Sequence, residues 1–191
     1  MVIDVKEFHH VRQRGAARGR VVLDRGSGSG TDVLLSARRV GEAGLAYGAD
    51  ATDEMLEMAR SNPAEANATN IGLLKGTIGD IPLLDGAVGV VILNSVINLP
   101  TDKLAVLDEV FRVLSPGGRI GVCDVVAEDH LSVAERAARG SYVGCIAGAP
   151  SRAEYLAGRA TARFTEDEAE LAHEAAPAMD AAITRAVEPL T

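Results

Sequence analysis

The chain has no tryptophan, and only three tyrosines and three phenylalanines among 191 residues. A core of this size must then be built from Ala, Val, Leu and Ile, which suits a parallel sheet covered by helices. Cysteine is almost as scarce, with Cys123 and Cys145 alone. Two thiols make no disulfide framework, so a reducing cytoplasm is the expected compartment. Positive charge is short as well: 19 Lys and Arg stand against 27 Asp and Glu, a formal net charge of −8. Apart from Arg12, Arg14, Arg18 and Arg20 the basic residues are scattered, which argues against a nucleic-acid partner. No apolar run reaches the roughly 18–20 residues of a membrane span. Met1 to Glu7 lack the apolar stretch of a secretory signal, and no membrane partner is expected. No His, Cys and Asp set has zinc spacing, so no metal is expected. The length suits one domain with a substantial core.

What the chain does have is glycine in a telling place. Val21-Val22-Leu23-Asp24 is a short apolar run ending in an acid, followed by Arg25 and then by Gly26-Ser27-Gly28-Ser29-Gly30. Val33, Leu34, Ala37 and Val40 then recur at helical spacing. This reads as strand, tight glycine turn, helix. Without Cβ atoms the turn can approach a ligand closely, and the helix N-terminus offers it free N–H groups. A dinucleotide fingerprint needs its third glycine at position 31, where Thr31 stands. The Asp-x-Gly-x-Gly-x-Gly spacing resembles instead the first motif of S-adenosylmethionine (SAM) methyltransferases.

A second strand, Leu45 to Asp50, also ends in an acid. In nucleotide-binding α/β folds an acid at this separation from the turn meets a ribose diol, since a carboxylate accepts from both hydroxyls. Thr52 is placed to cap the helix that carries Met55, Leu56, Met58 and Ala59. Ile71 to Gly76 reads as a third strand after a polar loop at Ser61 to Asn70, and Ile81 to Gly86 as a turn. Val88 to Asn94 is a continuous apolar run, the mark of a central strand buried on both faces. Lys103 to Leu114 is an amphipathic helix stopped by Ser115-Pro116-Gly117-Gly118, and Arg119 to Val126 is a fifth strand. Alternating strands and helices predict an α/β fold, a Rossmann-like, doubly wound, mostly parallel sheet with helices on both faces. Asp24, Asp50, Asn94 and Asp124 then fall at strand ends, where such sheets bind ligands. Glu166-Asp167-Glu168 reads as a helix start after Thr165, or as a solvated face. Cys123, inside a strand, reads as a small apolar filler. His9-His10 read as solvated, and His130 as a loop residue.

Several segments together resemble arsenite methyltransferases. These are Val22 to Gly30, Asp50-Ala51-Thr52-x-Glu54-Met55-Leu56, Asn94-Ser95-Val96-Ile97-Asn98-Leu99, Phe111 to Arg119, and Gly144-Cys145-Ile146-Ala147-Gly148-Ala149. The resemblance runs from about Val21 to Ala149. It implies the class I methyltransferase fold over residues 21–191, with residues 1–20 as a short N-terminal segment and candidate lid. It implies SAM as cofactor. Asp24, Gly26, Ser27, Gly28 and Gly30 would hold its methionine end, with Asn94 beside them. Asp50 would take the ribose, Ala51 would lie against adenine, and Thr77 and Ile78 would line the adenine edge. The acceptor would be a small molecule, a trivalent arsenical bound through Cys145, the candidate catalytic residue. A different small organic acceptor, or a silent methyltransferase-fold protein, are the alternatives.

The chain departs from that pattern at informative places. The family has a second arsenic-binding cysteine where Ser95 stands, and a hydroxyl is a poor ligand for a soft As(III) centre. Thr77 replaces an acid that would accept from the adenine amino group, and Gly89 replaces another. Arg25 stands where the family has an apolar residue. A charged side chain there must reach solvent, find a partner, or disturb the strand end.

Overall fold

The computed structural model describes residues 20–62, 68–99, 102–140, 145–161 and 163–189. Residues 1–19, which hold the candidate lid and His9-His10, lie outside them, as do Gly144 and residues 63–67 of the polar loop. A seven-stranded sheet in the order β3-β2-β1-β4-β5-β7-β6 organises the chain. Its strands are β1 (Val21–Arg25), β2 (Leu45–Asp50), β3 (Ile71–Lys75), β4 (Val88–Asn94), β5 (Leu114–Ala127), β6 (Thr165–Ala176) and β7 (Met179–Val187). Strands β1 to β5 pair in parallel, while β7 runs antiparallel to both β5 and β6. The helices are α1 (Thr31–Val40), α2 (Asp53–Ser61), α3 (Lys103–Val113), α4 (Val133–Arg139) and α5 (Arg152–Thr161).

Alternation along each strand sorts the core into two layers. Leu23, Val91, Leu93, Ile120 and Val122 pack with Val106, Leu107 and Val110 of α3. Val22, Val90, Ile92 and Cys123 face the other way, against Val40 of α1. Cys123 is fully buried there, as a small apolar filler would be. The doubly wound fold read from the sequence is therefore the observed one. Strand order reverses between β1 and β4, the switch point at which such sheets open a crevice beyond their strand ends.

Three readings need correction. Glu166-Asp167-Glu168 does not start a helix but belongs to β6, because backbone pairing with β7 overrides a helix-forming local composition. Thr52 occupies the N-cap of α2 without capping it: its hydroxyl donates to Asp50 Oδ1 at 3.0 Å. Asp124 is not at the strand end, since β5 continues to Ala127 to pair with β7. Of the three outcomes open to Arg25, the structure shows a partner: the side chain is buried, its Nη2 donates to the Thr77 carbonyl, and β1 is undisturbed through it.

The glycine turn depends on its missing side chains at one position above all. Gly26 has φ 72°, and a Cβ built on it would lie 2.4 Å from Val96 Cγ1. Gly26→Ala is expected to cost about 1–3 kcal/mol, read by chemical denaturation. Adding Val96→Ala should recover the steric part and leave about 1 kcal/mol of left-handed backbone cost; no recovery would show that Val96 is not the obstacle.

Candidate functional site

The glycine turn is tied to the end of β2. Gly26 and Ser27 N–H groups donate to the Ala49 carbonyl at 2.8 and 3.1 Å. Asp50 then gathers three donors: Gly28 N–H on Oδ2, and Thr52 N–H and hydroxyl on Oδ1, each at 3.0 Å. Gly30 has φ 84°, and its carbonyl accepts from Leu34 N–H at 3.0 Å to open α1. Asp24 is buried behind the turn and Ser27 is buried within it. Asn94 ends β4, and its amide donates to Asp32 in the first turn of α1 at 3.2 Å. The structure thus brings Asp24, Gly26, Ser27, Gly28, Gly30, Asp50 and Asn94 to the C-terminal ends of β1, β2 and β4.

Ala51, Thr77 and Ile78 follow the ends of β2 and β3. Ala51 and Thr77 are exposed, while Ile78 packs against the core. Arg25 lies on the α3 face, and its Nη2 donates to the Thr77 carbonyl. Further along the same connection, Glu109 of α3 accepts from Ile81 N–H at 2.7 Å. Arg112 donates to the carbonyls of Ile81 and Leu83 at 3.1 and 2.9 Å.

The Cys145 side of the crevice is built around Asn98, which is fully buried. Its Nδ2 reaches Asp124 Oδ1, the Val125 carbonyl and the Cys145 carbonyl at 2.8, 2.7 and 3.0 Å. All three neighbours are acceptors, which settles the amide orientation. Asn98 N–H donates to Asp124 Oδ2 at 3.2 Å. The Cys145 thiol lies 3.0 Å from the Ser95 carbonyl. Positions 95 and 145, far apart in sequence, therefore meet. The Ser95 hydroxyl is turned toward Asn94 Oδ1 at 3.3 Å. Arg136 fixes the segment from the other side, donating to the Ala149 carbonyl at 3.0 Å and to both carboxylate oxygens of Glu154.

Burial sets the electrostatics. It pushes the Asp124 carboxyl up to about 6, against the hydrogen bonds from Val125, Asn98, Ile97 and the Cys145 thiol. It pushes the Cys145 thiol up to about 12, with the Asp124 charge and hydrogen bond adding to the effect and Lys103 opposing it. Burial also lowers Lys103, whose ammonium donates to the Asn98 carbonyl at 3.3 Å. The thiol is protonated at neutral pH, and Asp124 is the acceptor beside it.

Sequence reasoning singled out the glycine turn, Asp50, Asn94 and Cys145, but assigned no role to Asn98 or Lys103. Asn98 sits inside a resembling segment yet outside any strand or helix, where periodicity carries no signal. Among the described residues no group of three His, Cys, Asp or Glu side chains could hold a metal ion. No helix among them is long and apolar enough to cross a membrane.

A model of the methyltransferase domain matches residues 17–173. The chain belongs to the methyltransferase-domain family. An arsenite methyltransferase from Halobacterium salinarum is 44% identical over 133 residues, covering 70% of this chain and 34% of that protein. A solved arsenic(III) S-adenosylmethionine methyltransferase from Chlamydomonas reinhardtii superimposes with a TM-score of 0.75 and 31% identity, over 92% of this chain and 65% of that one. A demethylmenaquinone methyltransferase from Lactococcus lactis is 32% identical over 127 residues, covering 66% of this chain and 50% of that protein. The resemblance to SAM-dependent arsenite methyltransferases read from the motifs is borne out. The chain spans about a third of the length of the halobacterial protein.

The raised thiol has a direct readout. In a Cys123→Ala background, alkylation of Cys145 by iodoacetamide should still rise about tenfold per pH unit between pH 7 and 10. An unperturbed thiol levels off above about pH 8.5. Asp124→Asn removes a charge that holds the thiol up, so the curve should level at lower pH. A wild-type plateau near pH 8.5 would contradict the assigned environment.

Proposed function

We propose that this methyltransferase domain transfers a methyl group from SAM to a small, soft acceptor held at Cys145, a trivalent arsenical being the best fit. The approach of the Cys145 thiol to the Ser95 carbonyl carries the reading. It brings the one thiol of the site to the end of β4, beside Asn94 and the switch point.

The chain's residues suit the cofactor. A Cβ on Gly28 would meet nothing within 4 Å, so the turn opens onto free space, and the Asp50 carboxylate stands beside it. Bound SAM supplies a sulfonium-activated methyl group. Asp24 and the Gly26 to Gly30 turn hold the methionine end, with Asn94 alongside. Asp50 accepts from the ribose hydroxyls, exchanging the Gly28 N–H for one of them. Ala51, Thr77 and Ile78 border the adenine. On the acceptor side Cys145 gives its proton to Asp124 as its sulfur takes a hydroxyl-bearing arsenical, and Asp124 passes that proton on to the displaced hydroxide, which leaves as water. Most of the catalysis is positioning, since in-line transfer requires the acceptor fixed close to the methyl group.

A single thiol also supports a second reading. The Ser95 hydroxyl turns to Asn94 and offers no soft ligand. An organic acceptor, as the similarity to a demethylmenaquinone methyltransferase allows, would not need one.

Two experiments test this. Titration calorimetry with SAM should show at least a tenfold loss in Asp50→Ala, where a charged acceptor disappears. Unchanged binding would overturn the ribose role. Ser95→Cys puts a second sulfur beside Cys145 and should raise methylarsenite affinity at least tenfold, because the second As–S bond forms intramolecularly. Cys145→Ser should abolish binding. No gain in the first and no loss in the second would favour the organic acceptor, and absence of SAM binding as well would leave a silent fold.

A further inference from the structure

Arg25 is one of the largest side chains in the molecule to be fully buried, at 1% exposure. It occupies the last position of β1, immediately before Gly26. Two residues after Leu23 it lies on the same face of the sheet, toward α3. Its Nη2 donates to the Thr77 carbonyl, whereas Nε and Nη1 find no hydrogen-bond partner among the described residues. Burial lowers the guanidinium to about 10, and the nearby carboxylates of Glu109 and Asp80 oppose that shift. Neither carboxylate makes a hydrogen bond to Arg25 among the described residues. Glu109 is committed to Ile81 N–H and to Arg112 at 2.7 and 2.8 Å. A buried charge with one hydrogen bond is costly to keep and structurally unforgiving.

Its placement shows what it does there. The backbone of Arg25 leads into the glycine turn, and its guanidinium ends under the turn that follows β3. The far part of that connection is gripped by Glu109 and Arg112 of α3, through Ile81 and Leu83. The near part, at Thr77, is held by Arg25. One side chain therefore spans the two lips of the crevice from beneath.

We infer that Arg25 is a positioning residue that fixes the adenine edge of the cofactor site by holding Thr77 and Ile78 in register with the glycine turn. The inference rests on the SAM reading above. It makes Arg25 a determinant of nucleobase selectivity without contact to the base. An adenine edge offers an acceptor at N1 and a donor at the 6-amino group, whereas hypoxanthine reverses both. A turn held in place discriminates the two, and a turn free to shift does not.

The test compares S-adenosylhomocysteine with S-inosylhomocysteine by titration calorimetry. Wild type should prefer the adenosyl compound. Arg25→Met should lose about tenfold in affinity for it, the scale of one hydrogen bond, and much less for the inosyl compound, so the preference shrinks. Arg25→Lys keeps a charged donor nearly long enough to reach Thr77 and should recover part of the preference. Should Arg25→Met fail to fold, Arg25→Gln serves: it is polar but too short to reach Thr77, and it should show the same loss. Equal losses for both ligands, or an undiminished preference in these variants, would overturn the role of Arg25 and leave the cofactor reading intact. A wild type that binds neither ligand would overturn both.

Discussion

One buried amide holds the Cys145 side of this molecule together. Asn98 joins β5, through Asp124 and Val125, to the segment that carries Cys145, and its own backbone hangs from the end of β4. None of these pieces is adjacent in sequence. With its surroundings dry, each donor that Asn98 supplies replaces a water that cannot enter, and a lost partner would leave a carbonyl or carboxylate unsatisfied. The position of Cys145 is thus set by hydrogen bonding at least as much as by apolar packing. The Arg136 to Glu154 pair closes the same segment from the helical side.

The cofactor side is organised differently. There the backbone does most of the work, with the turn after β1 leaning on Ala49 and Asp50 of β2. Charged side chains act from behind it. The Glu109 carboxyl is lowered, first by its hydrogen bond to Arg112, so it stays ionised opposite Arg25. The turn is held by polar backbone and backed by the buried guanidinium of Arg25, an arrangement that favours a fixed geometry over an adaptable one.

Strands β1 to β4, and β5 from Arg119 onward, were legible in the sequence because their runs are apolar, short and bounded by glycine, proline or polar turns, whereas the start of β5 at Leu114, through Ser115-Pro116-Gly117-Gly118, was not. The glycine turn, Asp50 and Asn94 were legible because their chemistry falls where such runs end. The hairpin of β6 and β7 was not. Its first strand carries Thr165-Glu166-Asp167-Glu168, a composition that locally favours a helix start, and only pairing with β7, itself zipped to β5, makes it extended. Thr52 was misread for a related reason: its hydroxyl had two local partners, and the Asp50 carboxylate, charged and close, wins over the helix amides. Arg25 was flagged as an anomaly, but the carbonyl that receives it lies in a distant turn that no local pattern connects to β1.

Ser95 and Cys145 share one more property. Both are non-glycine residues in the left-handed region, with φ of 57° and 61°. Each conformation costs on the order of 1 kcal/mol relative to ordinary backbone. The proposed acceptor site is therefore a place where the chain holds conformational energy in reserve. Glycine at position 145 would relax the backbone while deleting the thiol, so drift toward greater stability at this position runs directly against the proposed capture of a soft substrate. Stability and chemistry are opposed at a single dihedral angle.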